Sequence, residues 1–223
     1  MKIWMVIPAY NEARSLERIL RRLKEKELHI IVVDDGSKDS TYAVAKMKAD
    51  IVLRNEKNLG KGMALRKAMA FLLENEKFDY IITMDGDGQH SVSDIDKFLD
   101  EVASGASFVV GNRMHSPIGM PKIRILTNQA MSWLLSRMVS QNIPDTQCGF
   151  RLIGREVLEK IKFRTNKFEV ESEILIKAAK EGFVIKSIPI QSIYFRRIKS
   201  KIHPFVDTLR FIRFLCTLNN KES

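Results

Sequence analysis

The chain has 223 residues, of which 45% are hydrophobic and 29% charged, with 37 Lys and Arg against 27 Asp and Glu. This composition excludes disordered and fibrous proteins, and the length fits one sizeable α/β domain. The sequence has no apolar run of about 18 residues, no signal peptide and only two cysteines, so we expect a reduced, cytoplasmic protein without a transmembrane segment.

The formal charge of +10 predicts an anionic partner, such as nucleic acid, a membrane surface or a phosphorylated substrate. The basic excess lies in the second half of the chain. Residues 113–137 hold four basic residues and no acidic one, whereas residues 196–213 hold six basic residues and one acidic residue.

The first 112 residues alternate short apolar runs with segments of helical periodicity. Strands are predicted at 3–7, 28–33, 51–53, 80–84 and 108–110, with helices at 16–23, 37–48, 59–74 and 92–102 between them. Strands that alternate with helices of this length predict a mostly parallel sheet with helices on both faces.

The remaining residues are less regular. The pattern predicts a helix over 123–139, a strand over 148–153, a helix over 170–180, a strand over 183–190 and a helix over 204–218. We therefore predict one domain over residues 1–201, followed by an amphipathic helix and tail over 202–223. The apolar residues of that helix suit either a membrane interface or packing against protein.

Polar clusters follow four of the predicted strands, at residues 8–12, 34–37, 85–90 and 111–113. In open parallel sheets, ligands bind beyond the carboxyl ends of the strands. A surface turn explains one such cluster but not four at the same edge, so we interpret this edge as a ligand site.

The sharpest of these clusters contains Asp85 and Asp87, with Gly86 between them. Two carboxylates in this position can bracket a hard cation such as Mg²⁺ or Mn²⁺, and Gln89 adds a neutral oxygen. A calcium loop of the helix–loop–helix type is excluded, because Asp96 stands where that loop needs a glutamate.

Two other features are weaker. The glycines around Lys61 match neither a dinucleotide fingerprint nor a P-loop, and we interpret Lys61 as the start of a helix that can face phosphate oxygens. Cys148 has no histidine nearby in sequence to activate it, and we interpret it as a small buried hydrophobic residue.

Taken together, the motifs resemble those of family-2 glycosyltransferases, in the branch of dolichol-phosphate mannosyltransferases and related polyprenyl-phosphate glycosyltransferases. The matching segments are IPAYNE (7–12), VDDGSKDST (33–41), NLGKG (58–62), DGDGQH (85–90), GNR (111–113) and DTQCGFR (145–151).

The resemblance implies a glycosyltransferase A-type fold over residues 1–201 and an inverting transfer of one sugar, mannose or glucose. The donor would be GDP-mannose or UDP-glucose, the acceptor a polyprenyl phosphate, and the cofactor Mg²⁺ or Mn²⁺. The basic segment 196–201 and the apolar helix predicted over 204–218 point to a peripheral enzyme at the cytoplasmic face of the membrane, with a second copy of the chain or a membrane protein as alternative partners.

The resemblance also assigns residues by motif. The residues implied to line the base and ribose of the donor are Pro8, Tyr10, Glu12, Val33 and Asp35. Those implied to hold the metal are Asp85, Asp87 and Gln89, with Gly86 in the same donor-binding loop. Those implied to meet phosphate groups are Arg113, Arg197 and Lys201, and the catalytic pair is Asp87 and Arg113.

Two alternatives remain open from the residues. A family-2 transferase that acts on a soluble or protein-bound hydroxyl needs a carboxylate base, for which Glu171 and Glu173 are candidates; the same residues fit solvated or acceptor-side carboxylates. A nucleic-acid-binding domain accounts for the charge but has no use for Asp85 and Asp87, so we expect no nucleic-acid partner.

Overall fold

The computed structural model describes residues 1–161 and 169–193 of the chain. Seven strands and seven α-helices make up this part. In chain order they are β1 (Ile3–Ala9), α1 (Ala13–Leu23), β2 (His29–Asp34), α2 (Thr41–Lys48), β3 (Ile51–Arg54), α3 (Lys61–Asn75), β4 (Tyr80–Thr83), α4 (Ile95–Ala103), β5 (Phe108–Asn112), α5 (Lys122–Val139), β6 (Arg151–Gly154), α6 (Arg155–Lys160), α7 (Glu169–Lys180) and β7 (Ile185–Pro189).

The strands form one sheet in the order β3-β2-β1-β4-β6-β5-β7. Strands β1 to β4 pair in parallel, and so do β5 and β7. Strand β6 lies antiparallel between β4 and β5, with Thr83 opposite Arg151. The predicted α/β class with a mostly parallel sheet is confirmed.

The core is built on the central strands. Every residue of β1 is buried, and because successive strand side chains point to opposite faces, both faces of the sheet are covered. Helix α1 buries Leu16, Ile19, Leu20 and Leu23, the residues whose spacing predicted it. Each fully buried side chain of this size contributes about 1.5–3 kcal/mol to folding.

Several predicted boundaries differ from the structure by a few residues, including the three that follow. Helix α2 begins at Thr41 rather than at residue 37, because Ser37 instead accepts a hydrogen bond from the Asn11 N–H. Helix α3 begins at Lys61 rather than at residue 59. Strand β6 begins at Arg151 rather than at Cys148, because the Arg151 guanidinium turns back to the Cys148 carbonyl.

The predicted helix over 204–218 and the predicted phosphate-binding residues Arg197 and Lys201 lie outside the described residues. None of the described helices is both long enough and apolar enough to cross a membrane.

Candidate active site

The site is built around an ion-paired cluster at the carboxyl end of β4. Asp85 follows β4, Lys61 is the first residue of α3, and Glu171 lies in α7. The Lys61 Nζ atom is 2.5 Å from Asp85 Oδ1 and 3.0 Å from Glu171 Oε1. The sequence separates these residues by up to 110 positions, and the sheet edge brings them together.

The opposite charges of this cluster stabilise one another. Burial by itself lowers the pKa of Lys61 and raises the pKa of Asp85. The ion pairs and hydrogen bonds together outweigh burial, so the pKa of Lys61 is raised by Asp85 and Glu171 and the pKa of Asp85 is lowered by Lys61 and His90. Both groups are therefore charged at neutral pH. His90 Nε2 lies 3.6 Å from the second oxygen of Asp85.

The second aspartate of the predicted metal pair lies in a different electrostatic environment. Its Oδ1 atom accepts a hydrogen bond of 2.9 Å from the Gln89 backbone N–H. Burial and the charge of Asp85 raise the pKa of Asp87. Two carboxylates that repel each other at a partly open edge gain from a shared divalent cation.

The donor set fits Mg²⁺ or Mn²⁺, which commonly take one or two carboxylates and complete their coordination with substrate phosphates and water. Asp85, Asp87 and Gln89 provide two acidic side chains and one amide. Within residues 1–161 and 169–193, no group of three or more His, Cys, Asp or Glu residues has the arrangement of a metal site. Oxygens of a bound diphosphate and of water would complete the coordination of a cation held by these residues.

At two glycines beside this cluster there is little room for a side chain. A Cβ atom on Gly86 would lie 3.1 Å from the Pro8 carbonyl oxygen. A Cβ atom on Gly149 would lie 2.5 Å from Lys61 Nζ and 2.9 Å from both Asp85 Oδ2 and Glu171 Oε1. The Gly149 backbone therefore lies directly against the three side chains of the ion-paired cluster.

We expect Gly149→Ala to displace the Lys61 ammonium without unfolding the protein, because the atoms in the way are the ends of flexible side chains. Donor affinity should fall about tenfold, which corresponds to roughly 1.4 kcal/mol. Calorimetric titration with a nucleotide diphosphate and Mg²⁺ measures this, with the melting temperature as the check on folding. Unchanged affinity would show that the cluster tolerates the extra methyl group.

The residues predicted to meet the nucleoside cluster at the ends of β1 and β2. Pro8 and Val33 are register partners in these strands, and both are buried. Tyr10 and Glu12 follow β1, and a Glu12 carboxylate oxygen accepts a hydrogen bond of 3.1 Å from the Ser15 hydroxyl. The structure brings these four residues together at the predicted edge; their contact with a nucleoside stays a prediction.

Asp35 holds the segment before α3 in place at the same edge. Its carboxylate accepts hydrogen bonds from the Asn55 side-chain amide at 2.8 Å, the Leu59 N–H at 2.9 Å and the Gly60 N–H at 2.8 Å. These bonds explain why α3 starts at Lys61. Asp35 therefore fixes the position of Lys61 relative to Asp85, in addition to its predicted place in nucleoside binding.

Arg113, predicted to face a phosphate, is buried in a bidentate ion pair. Its Nε and Nη2 atoms lie 2.7 and 2.9 Å from the two carboxylate oxygens of Asp145. The Arg113 backbone N–H and the Asn128 amide donate to the same carboxylate. Burial raises the pKa of Asp145, but the Arg113 guanidinium outweighs it and holds that pKa below its usual range.

The sequence reasoning missed the role of Arg151. Its guanidinium is buried and donates to three backbone carbonyls, those of Cys148, Thr146 and Glu171, at 2.7, 2.8 and 2.5 Å. It thereby joins the loop that carries Gly149 to the helix that carries Glu171. The signals in the sequence were a basic residue within an otherwise apolar predicted strand and its place at the end of the motif DTQCGFR.

Cys148 and the two candidate bases are also placed by the structure. Cys148 is buried, and burial raises the pKa of its thiol to about 12, so its prediction as a buried hydrophobic residue is confirmed. Glu173 is buried and lies 2.7 Å from Lys177 Nζ. Both candidate bases, Glu171 and Glu173, are therefore paired with lysines.

Comparisons with known proteins identify the family of the chain. The family model described as glycosyl transferase family 2 matches residues 4–162. The chain is 30% identical over 216 residues to the UDP-N-acetylglucosamine–dolichyl-phosphate N-acetylglucosaminyltransferase of Methanococcus voltae, covering 86% of each chain. It is 29% identical over 201 residues to the polyprenol monophosphomannose synthase of Mycolicibacterium smegmatis, covering 83% of this chain and 75% of that protein.

Among solved structures, the fold is similar to that of glucosyl-3-phosphoglycerate synthase from Mycobacterium tuberculosis in complex with Mn²⁺, UDP and glucosyl-3-phosphoglycerate. The TM-score is 0.66 at 20% identity, over 94% of this chain and 75% of that one. This likeness confirms the glycosyltransferase A-type fold. The motifs, the site and the family match together show that the chain belongs to glycosyl transferase family 2.

Proposed function

We propose that this chain transfers one sugar from a nucleotide diphosphate to a polyprenyl phosphate with inversion at the anomeric carbon. The names of the two relatives support the lipid phosphate as acceptor. The observation that carries the proposal is that Glu171 and Glu173 are each paired with a lysine. A hydroxyl acceptor needs a base that takes up its proton, and a lysine partner makes proton uptake by a carboxylate less favourable, whereas a phosphate is already ionised at neutral pH and needs no base.

The transfer makes one bond and breaks one. An oxygen of the acceptor phosphate attacks the anomeric carbon, and the bond from that carbon to the diphosphate breaks, so that the nucleotide diphosphate leaves with both electrons. No proton has to be removed from the acceptor. The residues of the chain therefore have to bind, orient and neutralise charge.

Several residues are suited to those tasks. Asp85, Asp87 and Gln89 would hold Mg²⁺ or Mn²⁺, which would stabilise the negative charge that develops on the departing diphosphate. Lys61 lies at the start of α3, where backbone N–H groups and the helix dipole also favour an anion. Asp85 and Glu171 keep its ammonium in place for a phosphate oxygen.

The finer assignments are part of the same proposal. The donor is GDP-mannose or UDP-glucose, with the base and ribose at Pro8, Tyr10, Glu12, Val33 and Asp35. Arg113, Arg197 and Lys201 meet the phosphate groups. The enzyme works at the cytoplasmic face of the membrane, where the prenyl chain of the acceptor stays in the bilayer.

An acceptor panel with glutamine variants tests the proposal. With a short-chain prenyl phosphate as acceptor, Glu171→Gln and Glu173→Gln should each keep turnover within about tenfold of the unmodified enzyme, a barrier change of roughly 1.4 kcal/mol. Glu181→Gln, an exposed position just after α7, is the matched control. The melting temperature of each variant separates loss of folding from loss of chemistry.

A different acceptor preference would contradict the proposal. If a prenol or sugar hydroxyl is glycosylated in preference to the phosphate, and one glutamine variant loses several orders of magnitude while still folded, a hydroxyl acceptor with a carboxylate base is the better account.

A further inference from the structure

The buried face of helix α5 includes polar side chains. Its buried residues are Asn128, Ser132 and Leu135. The Ser132 hydroxyl donates a hydrogen bond to the Asn128 side-chain oxygen at 3.0 Å and accepts one from the Thr146 N–H at 2.9 Å. One turn further on, the Ser136 hydroxyl is bonded to both backbone groups of Ile143. The inner face of α5 is thus tied to the segment 143–146 by polar contacts.

The opposite face of the helix is apolar and exposed. Ile123, Leu126 and Trp133 lie within about one quarter of the helix circumference, at 100° per residue. They are 56%, 63% and 62% exposed, and Ile118 in the preceding loop is 79% exposed. Of the ten exposed large hydrophobic residues in the described part of the chain, five lie between residues 118 and 138. Such clustering typically marks an interaction surface.

The charged residues in the segment that carries this face are all basic. No acidic residue occurs from 102 to 144. Lys122 and Arg137 are exposed at the two ends of α5, and the Arg137 guanidinium lies over the Trp133 ring at 5.4 Å from its centroid. An apolar stripe that carries tryptophan, in a segment whose charged residues are all basic, suits the interface of an anionic membrane.

We infer that the face formed by Ile118, Ile123, Leu126, Trp133 and Arg137, called here the α5 face, rests on an anionic lipid surface. This inference depends on the proposed lipid acceptor and adds to it the part of the domain that meets the membrane. The charge of the α5 face favours an anionic lipid surface as its partner over another basic surface of the same chain. A second copy of the chain would bring the same basic residues together, and the segment 196–213 carries six basic residues against one acidic residue.

The α5 face also lies close to the site. The inner residue Asn128 donates to Asp145 at 2.7 Å, and Asp145 holds the Arg113 guanidinium. One helix diameter, about 10 Å, therefore separates the α5 face from a residue predicted to meet phosphate.

The two tryptophans of the chain allow a direct test. Trp4 is 3% exposed and Trp133 is 62% exposed. When the full-length protein is mixed with phosphatidylcholine–phosphatidylglycerol vesicles whose acyl chains are brominated, the fluorescence of Trp133 should be quenched and its emission shifted to shorter wavelength. Trp133→Phe should abolish the quenching while the remaining signal from buried Trp4 stays constant.

Substitutions on the α5 face supply the second readout. The double variant Leu126→Ser with Trp133→Ser should bind these vesicles at least tenfold more weakly in co-sedimentation, and Arg137→Gln should reduce the dependence on the anionic lipid. The matched control is Met47→Ser on α2, which is 76% exposed outside the α5 face and should bind as the unmodified protein does.

Different results would contradict the lipid contact of the α5 face and the proposed sugar transfer. Vesicle binding without quenching of Trp133, or binding that the double variant leaves unchanged, overturns the inference. The same holds if light scattering shows a dimer that the double variant dissociates. Transfer to a water-soluble short-chain prenyl phosphate tests the proposed function alone, and the double variant should retain that activity within twofold.

Discussion

Asp87→Asn is expected to reduce sugar transfer by about a thousandfold or more, which corresponds to roughly 4 kcal/mol in the activation barrier. The change removes one of the two anionic ligands proposed for the metal, and the other, Asp85, is already shared with Lys61. Asparagine keeps the oxygen that accepts the hydrogen bond of the Gln89 N–H. The loop should therefore hold its shape while its charge is reduced.

The measurement is turnover as a function of Mg²⁺ or Mn²⁺ concentration, with calorimetric titration of the metal in the presence of a nucleotide diphosphate. Asp96→Asn is the matched control, because Asp96 is an exposed carboxylate on α4 that pairs with Lys26. The control should keep its activity. Full turnover of the Asp87→Asn enzyme, or of the unmodified enzyme in excess chelator, would contradict the proposed metal site.

The largest effect on stability is expected for Asp145→Asn, which leaves the buried Arg113 guanidinium without its anionic partner. Removing one member of a buried ion pair is strongly destabilising, here by about 3 kcal/mol. For a chain of this length that lowers the melting temperature by roughly 6–12 °C. The exposed pair of Asp96 and Lys26 again provides the control, since Asp96→Asn should change stability by no more than about 1 kcal/mol.

The same pair predicts a dependence on pH. Arg113 holds the pKa of Asp145 below its value in the unfolded chain, which is about 3.9. The contribution of a group with a lowered pKa is fully present above the unfolded value and is lost as the pH falls through the folded value. The stability difference between the unmodified protein and Asp145→Asn should therefore be constant from pH 7 to about pH 5 and shrink below pH 4. A difference that grows on acidification would contradict the ion pair.

The parallel half of the sheet was predictable because its residues follow simple periodic rules. The continuous Ile and Val residues of β2 predict a strand buried on both faces, and the spacing of Leu16, Ile19, Leu20 and Leu23 predicts the buried face of α1. The boundaries of α2 and α3 were missed by a few residues. Their positions depend on side chains such as Ser37 and Asp35, whose partners lie far away in sequence.

Other features had no local signal. The antiparallel direction of β6 depends on how the chain returns to the sheet after α5, which the pattern of one strand does not contain. Arginine is rarely buried, and Arg151 is buried because three backbone carbonyls accept its hydrogen bonds. The buried face of α5 was equally hard to predict, since Asn128 and Ser132 lie inward with Leu135 whereas Ile123, Leu126 and Trp133 are exposed.

The candidate site was predictable in its parts but not in its connections. The polar residues after β1, β2, β4 and β5 were located from the rule that ligands bind at the carboxyl ends of parallel strands. The contact of Lys61 with Asp85 and Glu171, and that of Arg113 with Asp145, join residues between 24 and 110 positions apart. Such pairs follow from the tertiary fold, which the motifs alone do not specify.

Phosphorus NMR of the reaction mixture tests the central claim most directly. The full-length protein is incubated with a nucleotide sugar, Mg²⁺ and a short-chain prenyl phosphate, and the resonance of the acceptor phosphate is followed. The proposed transfer converts this phosphomonoester into a phosphodiester that carries the sugar, in step with release of the nucleotide diphosphate. Release of the nucleotide diphosphate with the phosphomonoester unchanged, and the sugar found on a hydroxyl group, would contradict it.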